Sequence, residues 1–120
     1  MTLRRMKTYT GGQGYVYQYY FVGKRTALSN DFSGPAEEYV FDVTSDRKTT
    51  FSVSVMLPDE SLKQWQSAHG RALNEAEQYA AVKMRLFQAF DELDDMMGHG
   101  RCLTVTSDAL QSVLTTLGVE

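Results

Sequence analysis

The chain has 120 residues, of which 42% are hydrophobic and 22% are charged, and its net charge is −3. This composition is typical of one globular domain with one core; it excludes a disordered, fibrous or membrane-spanning chain, and the acidic total excludes a strongly basic nucleic-acid-binding domain. Because the one cysteine, Cys102, cannot form an internal disulfide and no apolar run follows the basic start, we expect a cytoplasmic protein without a signal peptide or a membrane contact.

The first predicted strand, "YVYQYYFV" at residues 15–22, is rich in aromatic and β-branched residues and lies between glycines. Both of its faces are apolar, since Tyr15, Tyr17, Tyr19 and Phe21 alternate with Val16, Gln18, Tyr20 and Val22. Only one face can pack on helices in a two-layer domain. Each buried tyrosine needs a partner for its hydroxyl, so we expect the side with Tyr15, Tyr17 and Tyr19 to face outward. The alternative is that these rings pack on neighbouring strands or loops.

Two further strands are predicted after a polar loop, "LSNDFSGPAE", at residues 28–37. The segment "EYVFDVT", residues 38–44, alternates between apolar and polar positions, and so do residues 50–57. The four residues "SDRK" between them are typical of a turn. The pattern predicts a β-hairpin with one face in water.

Two helices are predicted next. Asp59 is the expected N-cap of a short helix that stops at Gly70. Asn74 and Glu77 have the spacing of a capping box at the start of a longer helix, which we expect to end at Gly98. The apolar stripe of this helix consists of Tyr79, Val82, Leu86, Phe90, Leu93 and Met97.

The last predicted elements are a strand in "RCLTVT", residues 101–106, and a helix capped by Ser107 and closed by Gly118. The predicted fold is α+β, an antiparallel sheet of three to four strands with helices packed on one face, in the order β-β-β-α-α-β-α. We expect a single domain over residues 1–120, with residues 1–14 as a candidate flexible segment.

The charges are unevenly distributed along the chain. Residues 1–30 carry five basic residues and no acidic residue, a charge of +5, so the remainder carries −8. A basic and an acidic face that cover one domain, or that meet within it or between subunits, would account for this division. The alternative is an anionic partner for the N-terminal segment.

The predicted outer tyrosine face indicates a binding protein, and two kinds of partner remain open. Tyrosine and arginine are enriched at protein interfaces, so the first interpretation is a non-enzymatic interaction domain that self-associates. The second is a single-stranded nucleic-acid-binding module, in which rings stack on bases and basic residues hold phosphates. The candidate binding residues are the same in both cases: Tyr15, Tyr17, Tyr19, Arg4, Arg5, Lys7, Lys24 and Arg25.

The glycines of "TGGQG", residues 10–14, resemble a phosphate-binding loop only superficially. Such loops lead into a helix and carry a lysine, whereas these glycines lead into a strand. We therefore interpret the segment as a flexible turn.

The acidic stretch "FDELDDMMGHGRC" is the remaining chemical candidate. On a helix, Asp91, Asp94 and Asp95 would share one side, with His99 and Cys102 close behind, and all of these residue types bind metals. The spacing matches no zinc motif, so we predict no cofactor, and the stretch is interpreted as a solvated helix end. A metal-dependent enzyme is the alternative. No catalytic set accompanies the two histidines, so no enzymatic mechanism is predicted.

Overall fold

The computed structural model describes residues 6–12, 14–28 and 34–119 of the chain. Over these residues the chain forms five strands and four helices. The strands are β1 (Lys7–Thr10), β2 (Val16–Ala27), β3 (Ala36–Thr44), β4 (Phe51–Pro58) and β5 (Cys102–Thr104), and the helices are α1 (Asp59–His69), α2 (Glu75–Glu92), α3 (Met96–His99) and α4 (Ser107–Leu117).

The strands form one sheet in the order β1-β2-β3-β4-β5. The first four strands are antiparallel neighbours, while β5 runs parallel to β4 because three helices intervene between these two strands. The predicted α+β class and the β3–β4 hairpin are confirmed. The sequence analysis missed β1, since four residues with one aromatic position carry too little alternation to be distinguished from a loop.

The helices cover one face of the sheet. Alternate residues of β3 and β4 point toward them, with Phe41 paired to Val53 and Val43 paired to Phe51, and all four are buried. The apolar stripes of α2 and α4 complete the core, through Val82, Leu86, Phe90, Leu110, Val113 and Leu114. The predicted placement of helices on one face is therefore confirmed.

The helix ends agree with the sequence in part. Gly70 and Gly118 adopt the left-handed conformation that closes α1 and α4. The N-caps are displaced by one residue from the predicted positions: α1 begins after Pro58, and Thr106, not Ser107, caps α4. The long helix stops at Glu92, well before Gly98, because Leu93 takes an extended conformation.

The capping box at the start of α2 is confirmed. The Asn74 side chain accepts a hydrogen bond from the Glu77 backbone N–H at 2.8 Å, and the Glu77 carboxylate accepts one from the Asn74 N–H at 3.0 Å. Arg71 adds a two-point ion pair to the same carboxylate, with both N···O distances at 2.9 Å.

Glu77 is expected to make the stability of the fold depend on pH. The hydrogen bonds from Arg71 and from the Asn74 backbone lower the pKa of Glu77 from an ordinary 4.5 to about 2. A carboxyl group with a lowered folded-state pKa stabilises the fold above its unfolded pKa, and this contribution is lost as pH falls through the folded value. We expect Glu77→Gln to melt at a lower temperature than the native chain near neutral pH, with the difference shrinking between pH 4.5 and about 2. A melting difference that stays constant over this range would contradict the assignment.

Candidate functional site

The aromatic strand is turned the other way from the prediction. Tyr17 and Tyr19 are only 2% and 5% exposed, and both point toward the helices. The ring of Tyr17 stacks on Phe90 with 4.2 Å between centroids. The prediction that the Tyr15, Tyr17 and Tyr19 side faces outward was therefore wrong. A tyrosine at the margin of a core can bury its ring and still direct its hydroxyl toward water, so the hydroxyls did not require an outer position.

Tyr15 is the exception among the three candidate tyrosines. It precedes β2, is 47% exposed, and meets the Tyr17 ring edge-on at 6.4 Å. Burial raises the pKa of the Tyr17 hydroxyl, and Tyr15, Asp94 and Asp95 raise it further. The structure therefore leaves one of the three predicted rings on the surface.

The candidate basic residues do not share one surface. Lys7 and Lys24 lie in register with Tyr19 and Tyr39, on the helix side of the sheet. Arg25 lies on the opposite side, where its Nε donates to Glu38 Oε1 at 2.7 Å. Arg4 and Arg5 fall outside the described residues. The predicted combination of tyrosines and cations is thus divided between the two sides of the sheet.

The side of the sheet opposite the helices is the open face. It carries apolar and polar side chains in alternation, and no described helix packs on it. Val16 and Val22 are 45% and 50% exposed, and Val22 is an extra residue where the β2–β3 register shifts between Phe21 and Gly23. The open face comprises Val16, Gln18, Tyr20, Val22, Arg25, Glu38, Val40, Asp42, Ser54 and Met56.

The open face has a hydrogen-bonded polar end. Glu38 accepts from Arg25 and, at 2.7 Å, from the Ser54 hydroxyl. These bonds lower the pKa of Glu38, with the hydrogen bond from Arg25 as the largest cause. Beside this network, Val22, Gly23, Arg25 and Val40 border a shallow depression of about 340 Å³ that Lys24 also lines from the strand edge. The sequence signal for this surface was the second apolar face of β2, which was predicted to face the helices.

The glycine-rich segment is a packing element. Gly11 is buried, and a Cβ placed on it would lie 2.5 Å from the carbonyl oxygen of Phe90. The Asp91 carboxylate accepts hydrogen bonds from the Tyr9 hydroxyl at 2.9 Å and from the Gly12 N–H at 2.9 Å. The predicted flexible turn in "TGGQG" does not include this close approach to α2, which no local sequence pattern could indicate.

The acidic stretch does not have the predicted geometry. Because α2 ends at Glu92, the three aspartates do not lie on one helix face, and Asp91 is engaged with β1. Asp95 caps α3 by accepting from the Gly98 N–H at 2.9 Å, and its carboxylate lies 4.0 Å from His99 Nδ1. Within the described part of the chain, no three aspartate, glutamate, histidine or cysteine residues are grouped so that they could hold a metal ion.

Two small cavities lie on the helix side, one on each side of Tyr79. The first, of about 220 Å³, contains Lys24 and Glu75 among aromatic rings, so it presents both signs of charge. The second, also of about 220 Å³, contains Lys83 among apolar side chains. Neither cavity was indicated by a sequence motif. The first combines residues of β2, β3 and α2, and the second is formed by one side of α2 together with Leu117 of α4.

These features define a mixed five-stranded α+β sheet with one covered and one open face. The chain matches no protein-family model, no curated protein and no solved structure. No helix among the described residues is long and apolar enough to cross a membrane.

Proposed function

We propose that this chain is a small non-enzymatic binding domain that self-associates through the open face of its sheet. The observation that carries the proposal is the exposure of Val16 and Val22 on a face that no described helix covers. Val40 and Tyr20 extend the same apolar surface and are half-buried. A sheet with an apolar outer face gains stability when a second surface excludes water from it.

The size of the open face is compatible with a second copy of the chain. At about 3.3 Å per residue and about 4.8 Å between strands, β2, β3 and β4 present roughly 460 Å² before side chains add to the area. A specific interface needs about 600–1,000 Å² from each partner. The strand area alone falls below this range, so the contact depends on the area that side chains add, and we expect a weak dimer of micromolar affinity.

The charges of the open face favour a partner of the same kind. Among the described residues, it carries one cation, Arg25, and two carboxylates, Glu38 and Asp42, at different positions along the strands. In a two-fold symmetric dimer the same surface of both subunits forms the contact. A surface that carries positive and negative side chains can place opposite charges against each other and so avoid like-charge repulsion. The proposed interface is therefore between open faces of two copies.

Pairing through the strand edge is a weaker possibility than pairing through the face. In the described part of the chain, β1 pairs with β2 only as far as Tyr19. Beyond that point β2 carries the bulge at Val22, then Lys24 and Arg25. Bulges and charged side chains are the features that prevent an edge strand from adding a further strand.

The nucleic-acid alternative has less support than it had from the sequence. Tyr17 and Tyr19 belong to the core, so they have no ring face to offer to a base. Lys7 and Arg25 lie on opposite sides of the sheet. The enzyme alternative depended on the acidic cluster that includes Asp91, and the Asp91 carboxylate already accepts hydrogen bonds from Tyr9 and Gly12.

Val22→Glu tests the proposed interface directly. We expect the native chain to form dimers in the micromolar range by sedimentation equilibrium. The variant should raise the dissociation constant at least about tenfold, since each dimer loses two apolar contacts and gains two buried charges. Val22 is half exposed at a bulge, so the substitution should leave the monomer folded.

Met97→Glu is the matched control. Met97 is 45% exposed, similar to Val22, but it lies on α3, which packs on the covered side through Met96. This variant should keep the native dissociation constant. A native chain that stays monomeric at high micromolar concentration, or equal weakening by both variants, would refute the proposed interface.

A further inference from the structure

The second cavity on the helix side has one charged group and an otherwise apolar lining. It measures about 220 Å³ and lies between α2 and the C-terminal end of α4. The residues around it are Tyr79, Ala80, Lys83, Met84, Phe87 and Leu117. None of these six residues is acidic.

Lys83 has no counter-ion among the residues that the structure describes. Its ammonium group lies over the rings of Tyr79 and Phe87, at 5.6 and 5.9 Å from their centroids, and it forms no ion pair with any described residue. Burial lowers the pKa of Lys83, and the nearby Lys7 lowers it further. A half-buried cation with a like charge beside it is stabilised when an anion binds.

The walls of the cavity are held in place by other aromatic contacts. The Phe87 ring stacks on Tyr9 with 4.3 Å between centroids and an angle of 1° between planes. Tyr79 meets Phe21 edge-on at 5.1 Å. A site whose walls are fixed before binding loses little entropy when a ligand enters.

We propose that this cavity binds a small organic carboxylate with an apolar aliphatic or aromatic body, with the carboxylate at Lys83 and the body against Phe87, Met84 and Leu117. Lysine is a compact point charge that suits a single carboxylate without two-point geometry. A dry cavity of about 150 Å³ can hold benzene, so this cavity has room for a phenyl ring or a short alkyl chain with its head group outward.

The site is separate from the proposed interface. Lys83 lies on α2, on the covered side of the sheet, whereas Val22 lies on the open face. The experiments can therefore refute either proposal without affecting the other.

Binding of 3-phenylpropionate and octanoate to the full chain tests the site, with ¹H–¹⁵N spectra as the readout. We expect saturable shifts at Leu117, Met84 and Phe87, and binding about tenfold to a hundredfold weaker for the uncharged amides of the same compounds, because they lose a charge-assisted contact. This comparison uses the native chain and does not depend on a variant folding.

Lys83→Met provides the second arm, because it keeps an apolar side chain and removes the charge. We expect it to weaken carboxylate binding to the level of the amides. Lys63→Met is the control, since Lys63 is an exposed lysine paired with Asp59 on α1, and it should bind as the native chain does. Absence of saturable shifts at these residues, or equal binding of acid and amide, would overturn the proposal, as would unchanged affinity in Lys83→Met.

Discussion

Replacing Tyr17 with alanine is expected to destabilise the fold by about 3–5 kcal/mol, as truncation of large aromatic residues does in other cores. Its ring is 2% exposed and stacks on Phe90 with an angle of 8° between planes. Phe90 is itself fully buried, so the space left by the ring cannot be filled by solvent without exposing the core. Denaturant unfolding should show a lower midpoint with little change in slope.

Tyr15→Ala is the comparison that makes this result informative. Tyr15 is two residues before Tyr17 and precedes β2. It is 47% exposed, and we expect its loss to cost less than about 1 kcal/mol. If Tyr17 instead lay on the outer face, the two variants would have similar stabilities. Equal effects would show that the orientation of β2 described here is incorrect.

Replacing Gly11 with alanine is expected to cost about 1–3 kcal/mol, the usual range for added atoms in a packed interior. The new Cβ would lie 2.5 Å from the Phe90 carbonyl oxygen, so backbone must move on one side or the other. That movement would also strain the hydrogen bonds from Tyr9 and Gly12 to Asp91. We expect a lower unfolding midpoint and faster amide exchange in β1.

Gly12→Ala is the matched control for this close approach. A Cβ at Gly12 would have its nearest neighbour, in Asp91, at 3.7 Å, which is ordinary van der Waals contact. We expect a change within about 0.5 kcal/mol. Similar losses for both alanine variants would mean that the segment is sensitive to glycine replacement in general and not to contact with α2.

The parts of the fold that could be predicted are those in which one local pattern allows one outcome. The alternation around Phe41 and Val53 places both residues on the apolar face of the hairpin. The spacing of Asn74 and Glu77 is that of a capping box at the start of a helix. The sequence could not show which face of β2 packs on the helices. Both faces are apolar, and an alternation of period two does not distinguish the inner face from the outer one. That choice depended on how rings from β2 and α2 fit together.

The candidate site depended on the same choice. Because Tyr17 points into the core, the predicted binding residues do not share a surface. Val16 and Val22 lie at the exposed positions instead. The bulge at Val22 shifts the alternation along the rest of β2 and so decides that Arg25 lies on the open face. Lys83 was not predicted as a site residue for another reason. A lysine on a helix is usually solvated, and only the structure shows its ammonium group over the rings of Tyr79 and Phe87.

Concentration-dependent side-chain footprinting tests the proposed self-association most directly, because it reports which surface becomes protected. Between low and high micromolar concentration we expect radical labelling to fall at Tyr20 and Val22 on the open face. Labelling at Met97, which is similarly exposed but lies on the covered side, should stay constant. Labelling of the open face that does not change with concentration, in a chain that remains monomeric, would contradict the account.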